Sequence, residues 1–277
     1  MEQLTNAIDN KQVTVGVFID LKKAFDTIDH EILLNKLSMY GIRGNALNWL
    51  KSYLLNRYQF VQYKDVLSSL LSMKCGVPQG SILGPSLFLL YINDLHCVSK
   101  LLKYILFADD TNIFCTGKNI QDVCELLNNE LKKLDIWFRV NKLSLNVLKT
   151  NFMFFSNTST EDGSIFLNGT YIERVYCTKF LGVYIDSKLA WDHQIKHVQG
   201  KIAKSISIMY KAKYLLTKSA LYTLYCSLIL PYLSYCCEIW GNTYTSRLKN
   251  VIILQKKAIR IVDQLPFRSH TSAIFRK

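Results

Sequence analysis

Asp109 and Asp110 stand side by side in the stretch Lys103–Cys115, between the runs Tyr104–Phe107 and Asn112–Cys115. Apolar and aromatic runs of that length read as paired strands, which predicts two carboxylates at the tip of a hairpin. Adjacent carboxylates raise each other's pKa and repel unless a cation neutralises them. Oxygen ligands without a His or Cys beside them suit Mg2+ or Mn2+ better than zinc. The same pair also reads as a solvated turn, since Asp is an ordinary turn residue.

A second acidic site lies upstream. Thr14–Asp20 is a near-continuous β-branched and aromatic run ending on Asp20, with Asp26 and Asp29 following. This is the pattern of a strand buried on both faces. A carboxylate closing such a strand costs several kcal/mol if left unpaired. If the two strand systems share one sheet, Asp20 and Asp109 converge. Carboxylates holding two divalent ions can stabilise the attacking and leaving oxygens of phosphoryl transfer. Between the acidic sites, Gly76, Pro78, Gly80, Gly84 and Pro85 precede an apolar, helix-like run from Leu87 to Ile92. Such a loop lets backbone amides approach a phosphate or base, and it equally describes a plain loop capping a core helix.

Together these segments resemble the reverse transcriptases of non-LTR (LINE-type) retrotransposons. The matching stretches are Phe18–His30, Gly76–Leu95 and Phe107–Asp110, followed by Leu145–Thr150 and Lys179–Asp186. Group II intron maturases and telomerases share the general plan, while Leu83–Pro85 and Asp29-His30 favour the retrotransposon branch. The resemblance implies an RNA-directed DNA polymerase using two Mg2+ (or Mn2+) ions, an RNA template, a DNA primer and dNTPs. It implies that Asp20, Asp109 and Asp110 are metal-binding catalytic carboxylates. Phe25 would lie under the sugar and exclude a 2′-OH, and Gln79 and Gly80 would touch nucleotide and template. Lys149 would lie near the triphosphate, and Leu181-Gly182 would grip the primer end. Phe25 also reads as core, and Lys149 as a solvated charge.

Composition points the same way. The 277 residues are 49% hydrophobic, enough for a large core. The net charge of +13 is uneven. Met1–Asp186 holds 19 Lys+Arg against 18 Asp+Glu, a balance of +1, whereas Ser187–Lys277 holds 15 against 3, a balance of +12. A basic block rich in aromatics suits contact with phosphates. Lys196, Lys201, Lys204 and Lys211 recur near helical spacing and are the candidate nucleic-acid stripe, though a basic solvated face would look alike. A third class, a template-free palm-like nucleotidyl cyclase, is disfavoured by that basic third and by the Gln79-Gly80 loop.

The elements that must position these groups are expected to form an α+β polymerase right hand. It would comprise a palm with an antiparallel sheet, packing helices and partial fingers over residues 1–186, and a helical thumb over 187–277. Strands are predicted at Val13–Ile19, Tyr58–Tyr63, Leu70–Cys75, Asn151–Ser156, Ser164–Leu167, Thr170–Val175 and Lys179–Ile185, with a hairpin turn at Asn168-Gly169. Helices are predicted at Asp29–Tyr40, Asn45–Asn56, Asn119–Asn141, Trp191–Leu215, Lys218–Leu228, Pro231–Ile239 and Ser246–Gln264. Ser219–Cys237 carries no charge, but Pro231 and its serines and tyrosines argue against a membrane span. The eight cysteines show no zinc spacing, and an intracellular, reducing setting in cytoplasm and nucleus is expected. His193 and His197, four apart, lack a third ligand. Few residues precede the first strand, and no endonuclease domain or Cys/His knuckle is visible. The expectation is therefore a piece of a retroelement protein truncated in its N-terminal fingers, with a catalytically inactive relic that still binds RNA as the alternative. Oligomeric state is not legible.

Overall fold

All seven residues of β1 (Val13–Ile19) are buried, as expected of the strand that carries Asp20. It lies in the middle of a five-stranded sheet, ordered β11 (Glu173–Arg174), β8 (Asn151–Phe155), β1, β7 (Asp110–Gly117), β6 (Lys103–Phe107). The computed structural model describes residues 1–156, 163–266 and 268–271. They divide into two compact units, Glu2–Val175 and Tyr176 onward.

The first unit opens with α1 (Glu2–Asp9), a helix the sequence pattern did not announce, and passes into β1. Helices α2 (His30–Met39) and α3 (Gly44–Leu54) follow, then two small ribbons. In these, β2 (Tyr58–Gln59) pairs with β5 (Leu71–Ser72), and β3 (Gln62–Tyr63) with β4 (Val66–Leu67). Helix α4 (Leu83–Ile92) leads to the hairpin of β6 (Lys103–Phe107) and β7 (Asp110–Gly117). Helix α5 (Ile120–Val140) precedes β8 (Asn151–Phe155), the hairpin β9 (Phe166–Leu167) and β10 (Thr170–Tyr171), and β11 (Glu173–Arg174). Both neighbours of β1, β7 and β8, run antiparallel to it, while β11 runs parallel to β8.

The core explains why β1 stays in place. Val15 and Val17 are wholly buried and pack in one cluster with Phe88 and Tyr91 of α4 and Leu127, Leu131 and Leu134 of α5. Each buried aliphatic side chain contributes about 1.5–3 kcal/mol. Gly16 sits mid-strand because a Cβ there would meet the Phe114 and Phe155 rings at 2.9 and 3.1 Å.

The second unit begins with a hairpin of β12 (Cys177–Phe180) and β13 (Val183–Asp186). It continues through α6 (Asp192–Ala212), α7 (Lys218–Leu228), α8 (Leu230–Ser234), α9 (Cys237–Trp240) and α10 (Thr245–Val262). That hairpin belongs to the second compact unit. Asp186 accepts from the amides of Ala190 (2.8 Å) and Trp191 (2.7 Å), which ties the hairpin to the start of α6.

Four segments differ from their expected form. Lys179–Ile185 is a hairpin rather than one strand, because Leu181 and Gly182 both take positive φ (45° and 84°), the signature of a two-residue turn. Tyr58–Tyr63 breaks into two strands with different partners. Thr170–Val175 likewise serves two partners, β9 and β8. Pro231–Ile239 divides at Cys236, whose φ of 51° a helix cannot accommodate. The Asn168-Gly169 turn has the expected form, with φ of 52° and 71°. Among the described residues no helix is long and apolar enough to cross a membrane.

Candidate active site

The register of the sheet decides which carboxylates meet. β1 pairs with β7 from Val13↔Gly117 to Ile19↔Thr111, so one step further places Asp20 opposite Asp110. Residues directly opposite in an antiparallel pair have Cα atoms about 4.5–5.5 Å apart. Asp109 lies next to Asp110 at the hairpin tip, where Phe107 pairs with Asp110 and Ala108 is held at a left-handed φ of 50°. Such a φ on a non-glycine residue is uncommon and carries strain.

The electrostatics follow from that placement. Desolvation, then the charge of Asp109, then that of Asp20 push the Asp110 carboxyl above the ordinary aspartate range. Among the described residues none of the three forms an ion pair with a Lys, Arg or His. No group of three or more His, Cys, Asp or Glu side chains there is already arranged as a metal cage. The side chains of Asp20, Asp109 and Asp110 offer only oxygen atoms, and as carboxylates they repel one another.

Asp20 is held by a residue the sequence reading did not single out. Asn146 donates its side-chain amide to Asp20 Oδ2 at 2.7 Å, and its backbone N–H to the Asp20 carbonyl at 2.8 Å. Thr150 Oγ1 accepts from the Asp20 amide at 3.3 Å and donates to the Asn146 carbonyl at 3.0 Å. The same carbonyl accepts the amide of Lys149 at 3.0 Å, so the exposed turn bearing Lys149 is built on the residue that grips Asp20. A small polar side chain three positions before Lys149, after the apolar Leu145, was the available signal.

The loop before α4 forms a second wall. Phe25 is half-buried, its ring centroid 4.7 Å from that of Phe88, and its carbonyl accepts the Val77 amide at 2.9 Å. Gln79 Nε2 donates to Asp26 Oδ1 at 2.7 Å, fastening the loop to the turn that carries Phe25. Gly76 is at φ +85°, and a Cβ there would come within 2.8 Å of the Asp26 carbonyl oxygen. Gly80, at φ +78°, faces open space, so its backbone conformation alone calls for glycine. Buried His30 bonds the Gly76 carbonyl through Nε2 at 2.7 Å, while Asp29 caps α2 and pairs with Lys142 Nζ at 2.5 Å. Burial pushes the Asp29 carboxyl up, but Lys142 and the amides of Ile32 and Glu31 together hold it below its ordinary value.

The remaining expected residues lie in the second unit. Leu181 and Gly182 form the β12–β13 turn, and the Tyr235 hydroxyl donates to the Leu181 carbonyl at 2.7 Å. Lys196, Lys201, Lys204 and Lys211 are all exposed on α6. His193 is exposed, and His197 packs against the Tyr184 ring at 5.1 Å.

A central strand and a neighbouring hairpin that present facing carboxylates, flanked by helices, define a right-hand polymerase palm. The reverse transcriptase (RNA-dependent DNA polymerase) family matches residues 1–185, and the chain belongs to that family. Its relatives are polymerases of non-LTR retrotransposons. The RNA-directed DNA polymerase from mobile element jockey of Drosophila melanogaster is 28% identical over 98% of this chain. The retrovirus-related Pol polyprotein from type-1 retrotransposable element R1 of Bradysia coprophila is 25% identical over 90% of it. The chain spans 30% and 25% of the lengths of these two relatives. Apo telomerase of Candida tropicalis superposes with a TM-score of 0.52 at 14% identity, covering 99% of this chain and 47% of its own. Telomerase of Candida albicans, solved with a fragment of telomeric RNA, gives 0.51 at 15% identity, over 99% and 44%. At such identities the likeness is one of fold.

Proposed function

We propose that this chain carries the polymerase centre of an RNA-directed DNA polymerase, joining dNTPs to a DNA primer 3′-OH on an RNA template. The observation that supports it most is the register that sets Asp20 opposite Asp110, with Asp109 beside them, in a chain of the reverse transcriptase family. Asp20, Asp109 and Asp110 would hold two divalent ions, Mg2+ or Mn2+, and such ions would supply charge stabilisation to the attacking and leaving oxygens. The chain's own groups do the rest. Asn146 fixes the carboxylate of Asp20. Phe25, braced on Phe88, lies beneath the sugar and leaves no room for a 2′-OH. Gln79 and Gly80 face nucleotide and template, and Lys149 meets the triphosphate and protonates the leaving pyrophosphate. The Leu181-Gly182 turn grips the primer end, and Lys196, Lys201, Lys204 and Lys211 ride on phosphates. Residues 1–186 act as palm with partial fingers and 187–277 as thumb, in an intracellular setting of cytoplasm and nucleus.

Primer extension on an RNA template with dNTPs and Mg2+ is the test. DNA product from the wild-type chain, lost in Asp109→Asn while RNA binding persists, supports the reading. Product that survives Asp109→Asn refutes it, and RNA binding without any product identifies the inactive relic.

A further inference from the structure

Helices α6 and α10 run side by side in the same direction, since Arg247, near the start of α10, pairs with Asp192, the first residue of α6, at 3.4 Å. Their C-terminal ends therefore lie together. Between them opens a cavity of about 530 Å3, within the range of about 300–1,000 Å3 typical of small-ligand sites. Tyr210, Lys213 and Tyr214 line it from the α6 side, and Lys257, Arg260 and Gln264 from the α10 side. None of the four lysines of the α6 stripe lines it.

Two helix C-termini by themselves repel an anion. The lining reverses this, because it contains Lys213, Lys257 and Arg260 and no carboxylate. Asp263, the nearest acid along α10, is committed to an ion pair with Lys218. Lys213 Nζ lies 4.2 Å from the Tyr210 ring centre and 4.6 Å from that of Tyr214. Arg260 is oriented by the bond from its Nε to the Ser269 carbonyl at 2.8 Å. Tyr214 is 81% exposed, an aromatic face left to water beside a cluster of cations. Flat rings adjoining ammonium groups are how proteins take single-stranded nucleic acid, with bases stacked on the rings and phosphates on the cations. Gln264 adds an amide able both to donate and to accept at a base edge.

We propose that this cavity binds one unstacked nucleotide of single-stranded nucleic acid, its base on Tyr214 and its phosphate between Lys213 and Lys257. An acidic peptide would satisfy the cations but has no use for the exposed ring. The site goes beyond the polymerase reading and does not depend on it, because binding is measured without catalysis.

Fluorescence anisotropy of a short single-stranded oligouridine with the full chain tests it. Tyr214→Ala is expected to weaken binding about tenfold, the loss of one stacked base. Lys257→Ala is expected to reduce the slope of log affinity against log salt by about one unit. Tyr214 is exposed and Lys257 partly so, and an unchanged melting temperature shows that the variants are folded. Competition adds a further arm, in which uridine monophosphate should displace the oligonucleotide at lower concentration than inorganic phosphate does. Unchanged affinity in both variants overturns the proposal. So does equal competition by phosphate, which would mean an anion site without a base, or stronger competition by an acidic peptide.

Discussion

Asn146→Ala isolates the clamp on Asp20. The substitution removes the 2.7 Å bond from the side-chain amide to Asp20 Oδ2 and leaves the 2.8 Å backbone bond between the same residues. A hydrogen bond to a charged group contributes about 1.5–3 kcal/mol, and the partial exposure of Asp20 argues for the lower end, about 1.5–2 kcal/mol. If that loss falls on the transition state, kcat drops about 10- to 30-fold. The assay is single-nucleotide primer extension at saturating dNTP, with Mg2+ titrated. The apparent KM for dNTP should change little, because the side-chain amide of Asn146 is committed to the Asp20 carboxylate, while more Mg2+ should be needed for half-maximal rate. Asn146→Asp sets two carboxylates against each other, so its loss at neutral pH should exceed that of Asn146→Ala and ease on acidification. A kcat for Asn146→Ala within about twofold of wild type, with an unchanged Mg2+ requirement, refutes the clamp.

Phe25→Val should raise incorporation of ribonucleotides relative to deoxyribonucleotides in single-turnover extension, and unchanged discrimination would assign the ring to packing on Phe88 alone. Asp29 has a lowered pKa, so its contribution to stability is full above the ordinary aspartate range and fades as pH falls through its folded value. Asp29→Asn keeps the cap of α2, so it should melt lower than wild type at neutral pH and converge with it in acid; parallel melting curves across that range would contradict this. Changing Lys196, Lys201, Lys204 and Lys211 together to Glu should weaken RNA–DNA duplex binding and flatten its salt dependence, with little change in sequence preference. If affinity and slope both survive, those lysines are only a solvated face.

Long-period signals were legible and short-range geometry was not. β1 was readable because seven consecutive buried residues leave no alternation to misjudge. α5 was readable because its apolar spacing runs over 21 residues. The hairpin at Leu181-Gly182 was hidden, because Leu rarely adopts positive φ and the segment has the composition of one strand. The break at Cys236 was hidden for the same reason. α1 has an apolar face of only three residues, Leu4, Ala7 and Ile8, and only Ala7 on it is buried. The acidic residues stood out by type, and the sheet register supplied what type cannot, that its next step beyond Ile19↔Thr111 sets Asp110 opposite Asp20. Asn146 had only a weak local signal, because its bond to Asp20 is a contact across 126 positions of chain.

Asp20 and Asp110 differ in how the polypeptide around them opens. Asp20 follows the middle strand of the sheet, paired along both edges and buried throughout, whereas Asp109 and Asp110 adjoin a hairpin tip whose outer strand, β6, has a free edge. In amide-exchange terms, protection should be greatest along β1 and should fall from β7 to β6. Asp20 is thus expected to adjoin the slowest-opening strand of the sheet, and Asp109 the end of its less protected edge strand. Fluctuations of the hairpin are then expected to alter the spacing of Asp109 from Asp20 more than motions of β1 do.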